Sequence, residues 1–345
     1  MRRRVGAVLG ALAIVFALPG VAQARTQAQP TPVEQCRLAD PKLNELSGLG
    51  ADGDRWYATN DGGTKVQVFV IAKDCKTERV VTGPIDPYDV EDMARAQDGT
   101  FWLADTGDND EKRPNVALIS LTPQGKTTVY RLTYPDGPHD TEALLLGRDG
   151  VPYLVTKDKL GSSNVYRPAG RLAAPGPTPL QHVGALKISS TDTRGGPVPG
   201  MFGSIMITGG AVSADGKVVA LRTYTDAYLY AAPDGDIAEA LRRSPVRVPL
   251  PDEPQGEAIA FEPDGALVSA SEGTGQPVRV ISGAADLANQ KAPTANGEAP
   301  APGGASGAPS DSGDKGGLST LPAIGIVAIV VLVLGLLMSR RRSRG

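Results

Sequence analysis

The chain reads as an all-β protein of the β-propeller class, and three observations predict it. A short apolar stretch followed six to eight residues later by an Asp-Gly pair recurs five times. The copies are Glu45-Leu-Ser-Gly-Leu before Asp52-Gly53, Glu91-Asp-Met-Ala before Asp98-Gly99, Glu142-Ala-Leu-Leu before Asp149-Gly150, Gly209-Gly-Ala-Val before Asp215-Gly216, and Glu257-Ala-Ile-Ala before Asp264-Gly265. The pairs lie 46, 51, 66 and 49 residues apart, a repeat length suited to blades of several short strands. Between them run short segments rich in Val, Ile, Thr and Tyr, bounded by Gly, Pro and Asp, which is the composition of strands joined by tight turns.

Taken in order, residues 1–24 have the three parts of a secretory leader: Arg2, Arg3 and Arg4, then apolar Val5 to Leu18, then Ala22-Gln23-Ala24. The propeller is expected over residues 25–287, outside the cell. Its strands are expected at Arg55–Thr59, Val66–Ala72, Arg79–Thr82, Phe101–Ala104, Val116–Leu121, Thr127–Leu132, Val151–Thr156 and Val218–Thr223. Four more follow at Tyr228–Ala231, Val246–Leu250, Ala266–Ala270 and Val278–Ile281. The fifth repeat lacks a last strand, which Glu34–Leu38 can supply and so close the ring. One helix is expected, Ile237–Arg243. The longest gap holds a Gly- and Pro-rich insertion, Ser189–Ser204, either a loop over one face or part of a degenerate sixth blade. Five blades are favoured and six stay open.

Residues 288–317, dominated by Ala, Gly, Pro, Ser and Asn, have the composition of an unfolded stalk. An apolar run of 18 residues from Leu321 to Met338 is followed by Arg340, Arg341, Arg342 and Arg344. That pattern predicts a transmembrane helix over 318–338 and a cytoplasmic basic tail over 339–345. The chain is thus expected in the cell membrane as a single-pass type I protein. Leu321-Pro-Ala-Ile-Gly325 also resembles a sortase sorting signal with Ile324 in the threonine position, so covalent attachment to a cell wall is the alternative.

The formal net charge is −3, and with the arginines of leader and tail set apart the exported part is close to −10. Such a surface excludes nucleic acid and anionic head groups as natural partners. Cys36 and Cys75 are the two cysteines, and an oxidising compartment predicts a disulfide between them.

In a propeller the innermost strand of each blade lines the channel. The repeat therefore sets Glu45, Glu91, Glu142 and Glu257 around one axis, with Asp89, Asp92 and Asp140 beside them. Like charges that close need a cation, a proton or a basic side chain. Glu91, Asp105, Asp108, Glu142 and Glu257 are the candidate metal ligands, because Asp105-Thr-Gly-Asp108-Asn109-Asp110 offers many oxygens to a hard cation such as Ca²⁺. Lys157 and Arg222 are the alternative neutralisers and, with Tyr224, the candidate substrate-binding residues. His139 and His182 are the only histidines, which excludes a zinc site of the common His/Cys kind. His139 with Glu142 is then the candidate acid–base pair. The chain has no Gly-x-Ser-x-Gly elbow in a strand–turn–helix context and no nucleotide-binding loop.

These residues resemble a group of exported bacterial propellers, actinobacterial in type, related to the esterase-like activity of phytase family. The resemblance runs from about Leu46 to Ile281 and rests on Leu46-Ser-Gly-Leu, Tyr88-Asp-Val-Glu-Asp-Met, Thr106-Gly-Asp-Asn109, His139-Asp-Thr-Glu-Ala143, Thr156-Lys157, Arg222-Thr-Tyr224 and Gln255-Gly-Glu-Ala-Ile259. It implies an acidic site at a channel mouth and Ca²⁺-assisted hydrolysis of esters or phosphoesters. Lys157, Lys159 and Arg222 are few cations for a substrate as anionic as phytate. Because no nucleophile declares itself, the leading expectation is a non-catalytic module binding a partner protein or a cell-wall glycan. The alternative is a divalent-cation-dependent (phospho)ester hydrolase.

Overall fold

A computed structural model describes residues 30–198 and 201–291. After a first strand β1 (Val33–Leu38), the described strands form four-stranded antiparallel meanders. The first is β2 (Leu46–Ala51), β3 (Arg55–Asn60), β4 (Gln67–Ala72) and β5 (Thr77–Thr82). The second is β6 (Val90–Arg95), β7 (Phe101–Asp105), β8 (Val116–Leu121) and β9 (Thr127–Thr133). The third is β10 (Thr141–Leu146), β11 (Pro152–Thr156), β12 (Ser162–Pro168) and β13 (Thr178–Lys187). A short helix α1 (Met201–Ile205) precedes the fourth: β14 (Ile207–Val212), β15 (Val218–Thr223), β16 (Asp226–Ala231), helix α2 (Ile237–Ala240) and β17 (Val246–Pro249). The last is β18 (Gly256–Phe261), β19 (Leu267–Ser271) and β20 (Gln276–Ile281), followed by helix α3 (Ala284–Lys291). A two-residue parallel pairing of Thr178 and Pro179 with Leu132 and Thr133 merges the second and third meanders into one sheet.

The repeated Asp-Gly pair is the turn from first to second strand of each meander. Gly53, Gly99, Gly150, Gly216 and Gly265 all take φ between 73° and 94°, where a side chain would be strained. Each preceding aspartate accepts a backbone N–H two residues on, for example Thr100 N–H to Asp98 Oδ1 at 2.9 Å and Ala266 N–H to Asp264 Oδ1 at 2.9 Å. These are Asx-turns, so this half of the repeat is turn chemistry.

Strand periodicity then builds the ring. Alternate residues of one strand point to opposite sheet faces. On β3, Trp56 and Ala58 pack against Ala258 and Val268 of the last meander, while Tyr57 between them packs with Met93 and Leu103 of the second. On β15, Val219 and Leu221 face Ala143 and Val155 of the third meander, and Val218 and Ala220 face Ile259 and Leu267 of the last. Ala104 and Leu118 meet Leu144 and Leu154 between second and third. Each meander thus packs face-on against the next, and the last against the first. That cyclic order is the propeller arrangement.

The first described strand closes the circle. β1 pairs antiparallel with β20, from Val33 opposite Val280 to Leu38 opposite Gln276, and becomes the outer strand of the last meander. The Glu34–Leu38 expectation holds. Cys36 on β1 is bonded to Cys75 in the β4–β5 turn, Cα atoms 5.8 Å apart, so the bridge ties the last meander to the first. Its 39-residue separation corresponds to about 4 kcal/mol of unfolded-chain restriction. Replacing both cysteines by alanine is expected to lower unfolding free energy by about that amount in urea titration. An unchanged midpoint would mean that β1 is held by its ladder alone.

Other expectations change. β12 and β13 went unforeseen, because Pro168, Gly170, Pro175, Gly176 and Pro177 break the local pattern. α2 ends at Ala240 rather than Arg243, and α1 and α3 are additional helices. α3 runs to Lys291, four residues into the segment read as stalk, and packs Ala284 and Ala288 against the core between the fourth and last meanders. Among the described residues no helix is long and apolar enough to cross a membrane. The leader at 1–24, the apolar run at 318–338 and the basic tail lie outside the described residues.

Candidate functional site

The first strand of every meander slips its register at the same step. The shifts fall between Leu46 and Gly48, Val90 and Asp92, Thr141 and Ala143, Ile207 and Gly209, and Gly256 and Ala258. The extra residues are Ser47, Glu91, Glu142, Thr208 and Glu257. A bulge re-aims its side chain, so this is the position that the repeat makes equivalent. Ser47 donates its hydroxyl to Glu91 O, and Thr208 donates to Gly256 O at 2.8 Å, each tying a first strand to that of the next meander. Glu45 lies two residues before its bulge and is half-buried. Three carboxylates, not four, therefore share the repeated position.

Glu91 and Glu142 occupy it on adjacent meanders, and Asp140 joins them. One carboxylate oxygen from each lies within 4.8 Å of the others, and all three residues are buried. Asp140 stands two residues before Glu142, on the same side of the strand, as Asp89 stands before Glu91. Gly107 leaves room for the cluster, since a Cβ there would overlap Glu91 Oε1 and Asp89 Oδ2. Lys157, just past the end of β11, is the cation at the site. Its Nζ pairs with Glu142 Oε1 and sits 5.4 Å from the centre of the buried Tyr224 ring. Asp140 Oδ1 accepts the Asp108 N–H at 2.9 Å. Glu91 is only 7% exposed.

Burial dominates the electrostatics. It holds Glu91 well above the usual carboxylate range, with Glu142, Asp89 and Asp140 adding repulsion against Lys157. Glu142 is pushed up to about 7 by burial, opposed by Lys157, and Asp89 to about 6 by burial and then Asp140. Asp140 is raised by burial against the pull of Lys157. Burial alone would lower Lys157, but Glu142, Tyr224, Asp140 and Glu91 hold it well above its ordinary value. Lys157, helped by Arg113 toward Asp89 and by Lys159 toward Asp140, does not bring these acids back to their ordinary values.

A carboxyl that keeps its proton to higher pH when folded than when unfolded binds more protons in the folded state between those two values. Metal-free protein is therefore expected to have this stability in full below about pH 4, losing it as pH rises through about 6 to 7. Melting temperature against pH in chelator checks this. A metal-free curve that climbs from pH 5 to 7.5 would contradict it.

The other candidate residues are placed differently. Asp105 Oδ1 accepts the Asp89 N–H and Arg113 Nη2, both at 3.0 Å. Asp108 Oδ2 accepts the Arg113 N–H at 2.7 Å. The loop thus folds around Arg113 as a brace, and its aspartates are not in the three-carboxylate cluster. Glu257 accepts from Gln255 Nε2 at 2.9 Å and also lies outside that cluster. Burial, then Glu272 and Glu142, raise it well above normal. His139 turns away from the acids: its Nε2 lies 3.1 Å from Asp136 Oδ1 and 2.9 Å from the Tyr166 hydroxyl, and its ring meets Tyr134 edge-on. No hydrogen bond joins it to Glu142.

Arg222 corrects the sequence reading most sharply. It is 0% exposed, and its guanidinium donates to Ala258 O at 2.9 Å, Ser269 Oγ at 3.0 Å and Glu253 Oε2 at 2.7 Å. Gly256 makes its path, since a Cβ there would collide with Nη2. Arg222 locks the fourth meander to the last and has no surface to offer a substrate. Asp92, likewise fully buried, accepts N–H groups from Leu144 at 2.8 Å and Gly210 at 3.1 Å, joining three first strands.

Sequence reasoning missed Arg113 as the brace and Asp140 as the third member of the cluster. The second was legible, because Asp89-x-Glu91 and Asp140-x-Glu142 repeat an Asp-x-Glu spacing that puts both acids on one strand face.

Neither a family model nor a curated protein matches this sequence. Among solved structures, the chain is similar to a gluconolactonase from Xanthomonas campestris, at 14% identity over 68% of this chain and 71% of that one, with a TM-score of 0.39. It is similar to a Myxococcus xanthus glutaminyl cyclase at 12% identity over 73% and 97%, with a TM-score of 0.42. It is also similar to a PQQ-bound aldose sugar dehydrogenase from Streptomyces coelicolor at 11% identity over 74% and 98%, with a TM-score of 0.40. At such values the assignment rests on the sheets themselves, and their cyclic packing makes this chain an all-β protein of the propeller kind.

Proposed function

We propose that this chain is a five-bladed, exported propeller hydrolase that binds a divalent cation through Glu91, Asp140 and Glu142 and cleaves an ester or phosphoester at that channel mouth. The observation that carries the reading is the cluster itself: Glu91, Asp140 and Glu142 are all buried, and each offers a carboxylate oxygen within 4.8 Å of the others. The donor set is all oxygen, which suits a hard cation such as Ca²⁺. When bound, such an ion polarises a carbonyl or phosphoryl oxygen and acidifies water.

The chain's own groups supply the rest. Glu142, paired with Lys157, is the carboxylate placed to orient an attacking water beside the cation. Lys157 presents a positive charge to an anionic substrate group, and Tyr224 shields its inner side from water. The family resemblance over Leu46 to Ile281 supports the ester and phosphoester class. The binding-module reading rested on the missing nucleophile, and a carboxylate that activates water removes that reason. The Cys36–Cys75 bridge supports an oxidising exterior. With the leader and the apolar C-terminal run, it favours a type I place on the cell surface.

The test is turnover of aryl esters and of an aryl phosphodiester by the exported part, with Ca²⁺ or with chelator. Cation-dependent hydrolysis is expected, falling about 100-fold or more in Glu142→Gln. Activity indifferent to chelator and to Glu142→Gln would overturn the assignment.

A further inference from the structure

A second site lies between the outer strands of the third and fourth meanders. A cavity of about 680 Å³ opens there, within the size range of small-molecule sites. Its wall carries Lys187, Arg242, Arg243 and Arg247 and not one carboxylate, on a chain whose net charge is negative. Four cations on one wall, two of them without an acidic partner in an acidic protein, mark a place suited to an anion.

The details strengthen this. Arg247 shares Asp226 Oδ1 at 2.8 Å, and Arg242 donates to Val183 O at 2.9 Å and reaches Glu239 at 3.4 Å, but Lys187 and Arg243 have no acidic partner among the described residues. Tyr228, opposite Arg247 in the β16–β17 ladder, lines the same cavity. It is 7% exposed, and its buried hydroxyl has no hydrogen-bond partner. A buried hydroxyl without a partner costs about 1–3 kcal/mol, which a ligand oxygen would recover. Ser189 and Ser190 add hydroxyls to the wall, whereas the Thr191 hydroxyl is donated to Asp226 Oδ2 at 2.7 Å.

We infer that this cavity binds an anionic saccharide, a sugar bearing phosphate or carboxylate. The cations take the anion, with the arginine forks suited to its paired oxygens. The hydroxyl-lined wall and Tyr228 take the polyol. None of the residues of the acidic mouth lines this cavity, so the inference stands independently of the hydrolase reading.

Calorimetric titration of the exported part at fixed ionic strength tests it, with glucose 6-phosphate, glucuronate, glucose and inorganic phosphate as probes. Saturable binding of a charged sugar is expected, about 10-fold or more tighter than glucose or phosphate. Binding by one of the two charged sugars and not the other names the anion. Arg243→Glu and Lys187→Glu, both at solvent-reached positions, should each weaken it about 10-fold without moving the melting temperature, and Tyr228→Phe should weaken it several-fold. Absence of saturation by about 10 mM, equal binding of glucose or of phosphate alone, or affinity unchanged in Arg243→Glu would each overturn the proposal.

Discussion

Adding Ca²⁺ at about 100 times its dissociation constant to chelator-treated protein at pH 7.5 is expected to raise the melting temperature by about 5–10 °C. The size follows from the linkage between binding and folding, near 2.7 kcal/mol at that excess. The sign of the mutants is more telling than the size. In Glu91→Gln the cation increment should largely vanish, yet the metal-free protein should melt higher than wild type, because a buried like charge has been removed. Asp140→Asn should behave the same way. A group whose removal stabilises the empty fold is kept for what it binds. No cation shift, together with Glu91→Gln melting lower than wild type, would sink the site.

Arg222→Met is expected to be the most damaging single change on the chain. Glu253 is 1% exposed and accepts from Arg222, Ser269 Oγ at 2.7 Å and Arg279 at 3.1 Å. Removing Arg222 leaves that carboxylate under-compensated, and it strips the carbonyls of Ala258 and Ala270 of a donor. Breaking a buried pair from one side costs about 3–5 kcal/mol, or roughly 10 °C or more in a domain of this size. The double variant Arg222→Met/Glu253→Gln should recover part of the loss, since no bare charge remains. A substrate-binding arginine would show the opposite split: KM raised and melting untouched.

What was legible in the sequence and what was not divide along a physical line. Asp-Gly turns and strand runs are local, so their repeat could be read directly, down to the closing strand that contains Cys36. The bulge is a relation between two strands. Reading Glu45 as the partner of Glu91 was a slip of two residues, which only pairing of Leu46 with Asn60 and Gly48 with Thr59 corrects. Arg222 and Lys157 look alike in the sequence, each a cation at the end of a second strand. One is swallowed between meanders because Gly256 opens a path for it, and the other stops at the carboxylate cluster. Lys157's place there depended on Glu142, which was legible; Arg222's depended on Glu253, in a loop that carries no pattern.

The closing strand sets the timetable of assembly. β1 precedes every other described strand, and its partner β20 follows them all, some 240 residues later in the chain. Through that interval the ring cannot shut. The cysteine pair spans only 39 residues, so oxidation can anchor β1 on the first meander long before Val280 arrives. The bridge then acts as a placeholder, keeping the outer edge of the last blade ready at the seam where the circle must meet.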